Sequence, residues 1–162
     1  LHPINAGRLL QGAPALVACT PLGILEILRR YAIPLEGAEA VVIGRSDIVG
    51  KPVAVLLQQA NATVTQCHSR TRDLRAHCRR ADVLVAAVGV PKLVKGDWVK
   101  PGAAVIDVGV SAIDGVIVGD VDTDAVSGTA RLVTPHRRGV GPMTITMLLR
   151  NTLLAYEQRT RA

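Results

Sequence analysis

An α/β fold, with a mostly parallel, doubly wound sheet and helices on both faces, is what this sequence predicts, on three grounds. Short apolar runs alternate with helix-length segments along the chain, the pattern of successive β-α-β units. The runs are continuous rather than alternating in polarity, as strands buried on both sides require. Four of them stop at a small residue, Gly44, Ser69, Gly89 or Gly109. In an open α/β sheet those stops mark the carboxyl edge, where backbone must come close to a ligand.

Residues 1–20 contain Gly7, Gly12 and Pro14 and read as an irregular leading segment with room for one short helix. Thr20-Pro21 is a helix start, since Thr caps and Pro is tolerated at the first helical position. Leu22, Ile24, Leu25, Ile27, Leu28 and Tyr31 follow at helical spacing. The first strand is expected over Ala40–Ile43, and the helix after Gly50 to about Gln59. Ala62–Gln66 is a second β-branched run, and a helix spans about Asp73–Arg80. Asp82–Val88 and Ala103–Val108 are the third and fourth strands. Asp114-Gly115 is a hairpin turn whose second arm is Val116–Val118, and Arg131–Val133 is a short last strand. Pro142 opens a long terminal helix with Met143, Met147, Leu148 and Leu154 on apolar positions.

At 162 residues the chain suits one domain able to bury its own core. Hydrophobic residues are 49% and charged residues 20%, which excludes a disordered chain. No apolar run is long enough to span a bilayer, so neither a membrane nor a leader is expected, and the reading is soluble and cytoplasmic. Net charge is +6, but the cations are scattered as pairs (Arg29-Arg30, Arg79-Arg80, Arg137-Arg138) and aromatics are 2%. Without a basic stripe or stacking platforms, nucleic acid is not an expected partner, and anionic small molecules are. Cys19, Cys67 and Cys78 are too far apart for a disulfide framework or a zinc site and read as reduced thiols.

The segment Val42-Ile43-Gly44-Arg45-Ser46 through Val49-Gly50-Lys51-Pro52 carries the chemistry. A strand, a tight turn and a helix N-terminus in succession present free N–H groups to a phosphate, in a Rossmann-like setting. The spacing is G-x-S-x-x-x-G, so the usual G-x-G-x-x-G fingerprint is met only in outline. An NAD site places an acid about 20 residues after the first glycine to bind the adenosine 2′-hydroxyl. Here that place reads Gln66-Cys67-His68-Ser69-Arg70, without a carboxylate. Ser69, Arg70 and Arg45 would attract a 2′-phosphate, favouring NADP over NAD; the alternative is that both arginines are plain surface. Asp120-Val121-Asp122-Thr123-Asp124 imitates half a calcium loop but has Ala125 and Arg131 where Gly and Glu are required, so Asp122 or Asp124 reads as a helix cap. His2, His68, His77 and His136 lack metal spacing, and no metal is expected.

Six motifs occur together and in order: Cys19-Thr20-Pro21-Leu22-Gly23, the segment just described, Cys67-His68-Ser69, Asp107-Val108-Gly109, Gly119-Asp120-Val121-Asp122 and Gly139-Val140-Gly141-Pro142-Met143-Thr144. Over essentially its whole length the chain resembles the cofactor-binding, C-terminal half of the bifunctional methylenetetrahydrofolate dehydrogenase/cyclohydrolase family. The resemblance implies a two-domain, homodimeric enzyme of one-carbon metabolism. It oxidises 5,10-methylenetetrahydrofolate with NADP and hydrolyses the methenyl product to 10-formyltetrahydrofolate. It implies that Gly44, Arg45 and Ser46 hold the pyrophosphate and adenosine-phosphate side, and that Ser69 sits by the 2′-phosphate. Val110 falls at a backbone contact to the nicotinamide, and Gly139, Val140, Gly141 and Pro142 border the folate cleft.

The family's catalytic Lys and its neighbouring Tyr lie in an N-terminal half that this chain starts after. No catalytic residue is therefore assigned within 1–162, and Lys51 belongs to the phosphate-side turn. The whole of 1–162 is then an NAD(P)-binding domain, whose helix 142–160 would pack on the missing catalytic domain and leave Met143, Met147 and Leu154 partly uncovered. Where the family has a Pro-Gly-Gly turn, this chain has Pro135-His136-Arg137-Arg138-Gly139. Either Arg138 is strained there or the arginines meet the folate's glutamate tail. A non-catalytic NADP-binding module, working without the catalytic half, is the competing function.

Overall fold

The computed structural model describes residues 1–160. Its helices are α1 (Pro3–Leu10), α2 (Cys19–Arg30), α3 (Gly50–Gln59), α4 (Leu74–Arg79), α5 (Thr123–Val126) and α6 (Val140–Thr160). Its strands are β1 (Glu39–Ile43), β2 (Thr63–Cys67), β3 (Val83–Ala86), β4 (Ala104–Asp107), β5 (Ser111–Ile113), β6 (Val116–Val118) and β7 (Leu132–Val133). Five strands form one sheet in the order β2-β1-β3-β4-β7, all parallel. The hairpin β5–β6 stands apart from it, turning at Asp114 and Gly115, both with positive φ as a tight two-residue turn demands. The α/β, doubly wound, Rossmann-like expectation is borne out.

Period-two alternation splits the apolar strands between two cores. Ala40, Val42, Val83, Val85, Ala104 and Ile106 face Ile24 and Leu28 of α2 and Val53 and Leu57 of α3. Val41, Ile43, Leu84, Ala86 and Val105 face the other way, onto Cys78 of α4 and Val126 of α5. Each fully buried Leu, Ile or Val side chain contributes about 1.5–3 kcal/mol by leaving water. The chain order doubles back at β1, because β2 lies on one side of it and β3 on the other. That switch opens a crevice outside the carboxyl ends of β1 and β3, where ligands bind in such sheets.

Several expectations need correction. Thr20 does not cap α2; the helix starts at Cys19 after Ala18, and the Thr20 hydroxyl instead meets the Thr144 hydroxyl of α6 at 2.9 Å. Gly23 lets the two helices come this close, since a Cβ there would lie 3.0 Å from the Met143 Cβ. The terminal helix starts at Val140, two residues before Pro142, because first-turn N–H groups have no intrahelical acceptor and proline loses nothing there. Met147 is not uncovered: it is 3% exposed, and the bare apolar residues of α6 include Ile145, Leu148, Leu149, Leu153 and Tyr156. Asp122 occupies the cap position of α5 without a capping bond and pairs with Lys92 (3.7 Å) and Lys95 (3.6 Å). Arg138 does adopt a left-handed backbone, φ +59°. Among the described residues, no helix is long and apolar enough to cross a membrane.

Candidate functional site

The crevice at the switch point is a cleft of about 570 Å³. Ile43, Gly44, Arg45 and Ser46 form one side, His68, Ser69 and Thr71 the second, and Ala87, Val88 and Val90 the third, with Leu74 and Leu93 behind. Both glycines of the first turn are structurally required. Gly44 has φ +125°, and a Cβ on it would overlap the Ala87 carbonyl of the facing strand end. A Cβ on Gly50 would overlap the Gly44 carbonyl, so the helix could not start so close under the turn. The Gln66 side-chain amide donates to the Gly44 carbonyl at 3.0 Å and ties the end of β2 to this turn.

Ser46 bends the chain into α3. Its Oγ accepts from the N–H of Val49 (3.2 Å) and Gly50 (3.3 Å), and its carbonyl accepts from Lys51 N–H (3.0 Å). The helix N-terminus is thus partly satisfied by Ser46 itself. The donors left over are the backbone N–H groups of Arg45, Ser46, Asp47 and Ile48, which have no protein acceptor among the described residues. A curl of unpaired N–H groups beside a helix N-terminus is an anion cradle.

The second side is ordered by hydrogen bonds within its own turn. The Thr71 hydroxyl accepts from His68 N–H at 2.8 Å, and His68 Nδ1 accepts from Arg70 N–H at 3.2 Å. Ser69 is left exposed, and among the described residues its hydroxyl has no partner and no carboxylate lines the cleft. Among the described residues Arg45 pairs with no acid. Arg70 is also exposed but does not line this cleft. Lys51 reaches back to Asp47 (2.5 Å) rather than into the cleft.

The structure therefore brings Gly44, Arg45, Ser46 and Ser69 together. Val110 lies outside the cleft, 69% exposed at the start of the hairpin, although the next residue, Ser111, donates from its hydroxyl to the Gly89 carbonyl (3.2 Å). Gly139 precedes α6, Val140, Gly141 and Pro142 are its first residues, and none of the four lines this cleft. In that turn a Cβ on Gly139 would overlap the Pro135 carbonyl.

Sequence reasoning placed Gly89 at this edge but missed the lining of the third side, Ala87, Val88 and Val90, and what holds it. Asp120 Oδ2 accepts from Val88 N–H (2.7 Å) and Gly89 N–H (3.0 Å). Asp107 Oδ1 accepts from Asp120 N–H (2.9 Å) and Gly109 N–H (3.2 Å), and its Oδ2 accepts from Val121 N–H (3.2 Å). Burial pushes the Asp107 carboxyl above its ordinary value, and the Asp120 charge adds to this, while the bound N–H groups of Asp120, Val121 and Gly109 pull it back. The signals available were Gly89 at the strand end and two acids standing beside glycines, Asp107 before Gly109 and Asp120 after Gly119.

The family description "tetrahydrofolate dehydrogenase/cyclohydrolase, NAD(P)-binding domain" matches residues 18–160. The chain is 57% identical over 166 residues to a bifunctional protein FolD from Azoarcus sp., covering 99% of this chain and 57% of that protein. The crystal structure of the bifunctional FolD enzyme from Campylobacter jejuni superposes with a TM-score of 0.95 at 48% identity, over 98% of this chain and 57% of that one. The Trypanosoma brucei FolD structure, complexed with NADP cofactor and inhibitor, gives 0.92 at 42% identity, over 99% and 58%. The chain thus spans little more than half the length of the relatives it matches. The match reaches from the first turn of α2 to the end of α6 and so takes in every wall of the cleft; the chain belongs to the tetrahydrofolate dehydrogenase/cyclohydrolase family, as its NAD(P)-binding domain.

Proposed function

We propose that this chain is the NADP-binding part of an oxidoreductase that converts 5,10-methylenetetrahydrofolate to 5,10-methenyltetrahydrofolate, with a linked cyclohydrolase giving 10-formyltetrahydrofolate. One observation carries the cofactor choice. At the carboxyl edge of the sheet stand the cation of Arg45 and the hydroxyl of Ser69, neither with a partner among the described residues, and none of those residues puts a carboxylate in the cleft. An acid there would repel a 2′-phosphate, and this pair attracts one. The relative from Trypanosoma brucei, whose structure holds NADP, supports the same reading.

In this reading the unpaired N–H groups of Arg45–Ile48 and the Ser46 hydroxyl hold the pyrophosphate, and Gly44 lets it approach the backbone. Arg45 and Ser69 hold the adenosine 2′-phosphate. Val110 offers its backbone on the nicotinamide side, and Gly139–Pro142 border the folate. The bound dinucleotide supplies the hydride acceptor; the residues of this chain bind and orient, which is where much of the rate of a hydride transfer originates. No proton-transferring residue is assigned within 1–162.

The apolar face of α6 formed by Ile145, Leu148, Leu149 and Leu153 would pack on the folate-binding catalytic domain, in a protein that works as a homodimer. Cys19, Cys67 and Cys78 are free thiols, which suits a reducing compartment, and we place the protein in the cytoplasm.

Fluorescence titration with NADP and NAD, for the wild type and Arg45→Ala, tests the cofactor reading. The wild type should prefer NADP. Losing hydrogen bonds from Arg45 to the phosphate removes about 1.5–3 kcal/mol, so Arg45→Ala should weaken NADP about 10- to 100-fold and leave NAD nearly unchanged. Equal wild-type affinity for the two dinucleotides would overturn it.

A further inference from the structure

Two carboxylates lie inside the carboxyl edge of the sheet, Asp107 at 3% and Asp120 at 0% exposure, and neither meets a cation among the described residues. Burying an unpaired carboxylate is costly, and a packed core does not need one. Both are let in by glycines. A Cβ on Gly109 would overlap the Asp120 carboxylate, and a Cβ on Gly119 would overlap that of Asp107.

The hydrogen bonds that their carboxylates make go to backbone alone. Asp107 ends β4, and its backbone N–H donates to the Thr134 hydroxyl (2.8 Å). Its carboxylate gathers the N–H groups of Gly109, Asp120 and Val121, which sets where the Asp120 side chain starts. Asp120 Oδ2 then takes both N–H groups of the turn leaving β3, Val88 and Gly89. Asp120 Oδ1 is buried with no partner among the described residues. A side chain whose only polar contacts among the described residues are two amides of a cleft wall, with one oxygen left bare, is placed to hold that wall.

We propose that Asp120 is a positioning residue of the dinucleotide cleft. Its carboxylate clamps the Val88 and Gly89 peptide groups and so sets the wall formed by Ala87, Val88 and Val90, with Asp107 holding Asp120 in place. This rests on the cofactor reading above. A wall fixed before binding removes the ordering cost that a free turn would add to the binding step.

The test compares NADP affinity and thermal stability of the whole chain for the wild type, Asp120→Ala, Asp120→Ser and Asp120→Asn. Alanine has no acceptor, and serine is too short to reach both amides. Each should weaken NADP at least tenfold, measured well below its own melting temperature. Serine keeps a polar group and stands in if the alanine variant does not fold. Asparagine retains an acceptor oxygen in the same place and should restore affinity to within about threefold of wild type. A merely structural role would lower melting temperature in the alanine or serine variant and leave NADP affinity of the folded protein unchanged, which overturns the proposal. Failure of asparagine to restore binding also overturns it. A wild type that binds no dinucleotide overturns the cofactor reading and this inference together; a wild type that binds, beside an alanine or serine variant that binds equally, overturns this one alone.

Discussion

Arg138→Gly should stabilise the protein although it removes a long side chain. Arg138 has φ +59°, in the left-handed region where a Cβ crowds the following carbonyl oxygen. That conformation costs an L-residue about 1–2 kcal/mol and costs glycine nothing. The side chain is exposed, so little packing is lost. It also stands two residues before Val140, the first residue of α6, where a cation opposes the helix dipole by about 0.3 kcal/mol. Against these gains, glycine adds about 0.4–1 kcal/mol of conformational freedom to the unfolded chain. The net is about 1 kcal/mol of added stability, or about 2–4 °C in Tm for a chain of this size. Arg138→Ala is the control, because it removes the charge and keeps the strained backbone, and it should gain only about 0.3 kcal/mol. Thermal unfolding followed by far-UV circular dichroism reads both. A glycine variant melting no higher than the alanine variant would refute backbone strain at this turn.

Ser46→Ala should cost about 1 kcal/mol, the usual loss when a hydroxyl capping a helix is removed, because Val49 and Gly50 N–H lose their acceptor. A urea midpoint equal to wild type would show that the hydroxyl does not hold the start of α3. Acid stability has two opposed contributions. The Arg29 and Arg30 guanidinium groups hold Glu26 at about 2, below its ordinary 4.5, so its contribution is full above 4.5 and is lost as pH falls towards 2. Glu26→Gln should flatten that fall in urea titrations between pH 5 and pH 2, and an unchanged slope would refute the pairing. Asp107 works in reverse. Its folded value is raised above 3.8, so the folded state keeps a proton that the unfolded chain releases, and stability drops as pH rises from 3.8 through the folded value. Asp107→Asn should remove this drop, read from the same titrations.

Much of the architecture was legible because it depends on local patterns. The four long strands announced themselves as β-branched runs ending in small residues, and the hairpin as Asp114-Gly115. The cofactor side of the cleft was legible too, since Gly44, Arg45, Ser46 and Ser69 belong to two strand-end turns that the β1–β2 pairing makes neighbours. Helix boundaries were less so. Thr20 looks like a cap in sequence, yet its hydroxyl finds Thr144, a hundred and more residues away. The face that α6 buries depends on where α2 lies, so the expectation drawn from the family resemblance left Met147 partly uncovered when it is enclosed.

The amino-acid order by itself determined the fold class, the phosphate turn and the absence of an acid at the end of β2, because each rests on residues adjacent in the chain. Only the tertiary structure decided that Asp120 reaches the turn after β3. The two lie some thirty residues apart (Asp120 Oδ2 to Val88 N–H, 2.7 Å), and no local pattern encodes their meeting. Strand order and register bring them together, and the glycines at 109 and 119 leave the space in which two buried carboxylates fit.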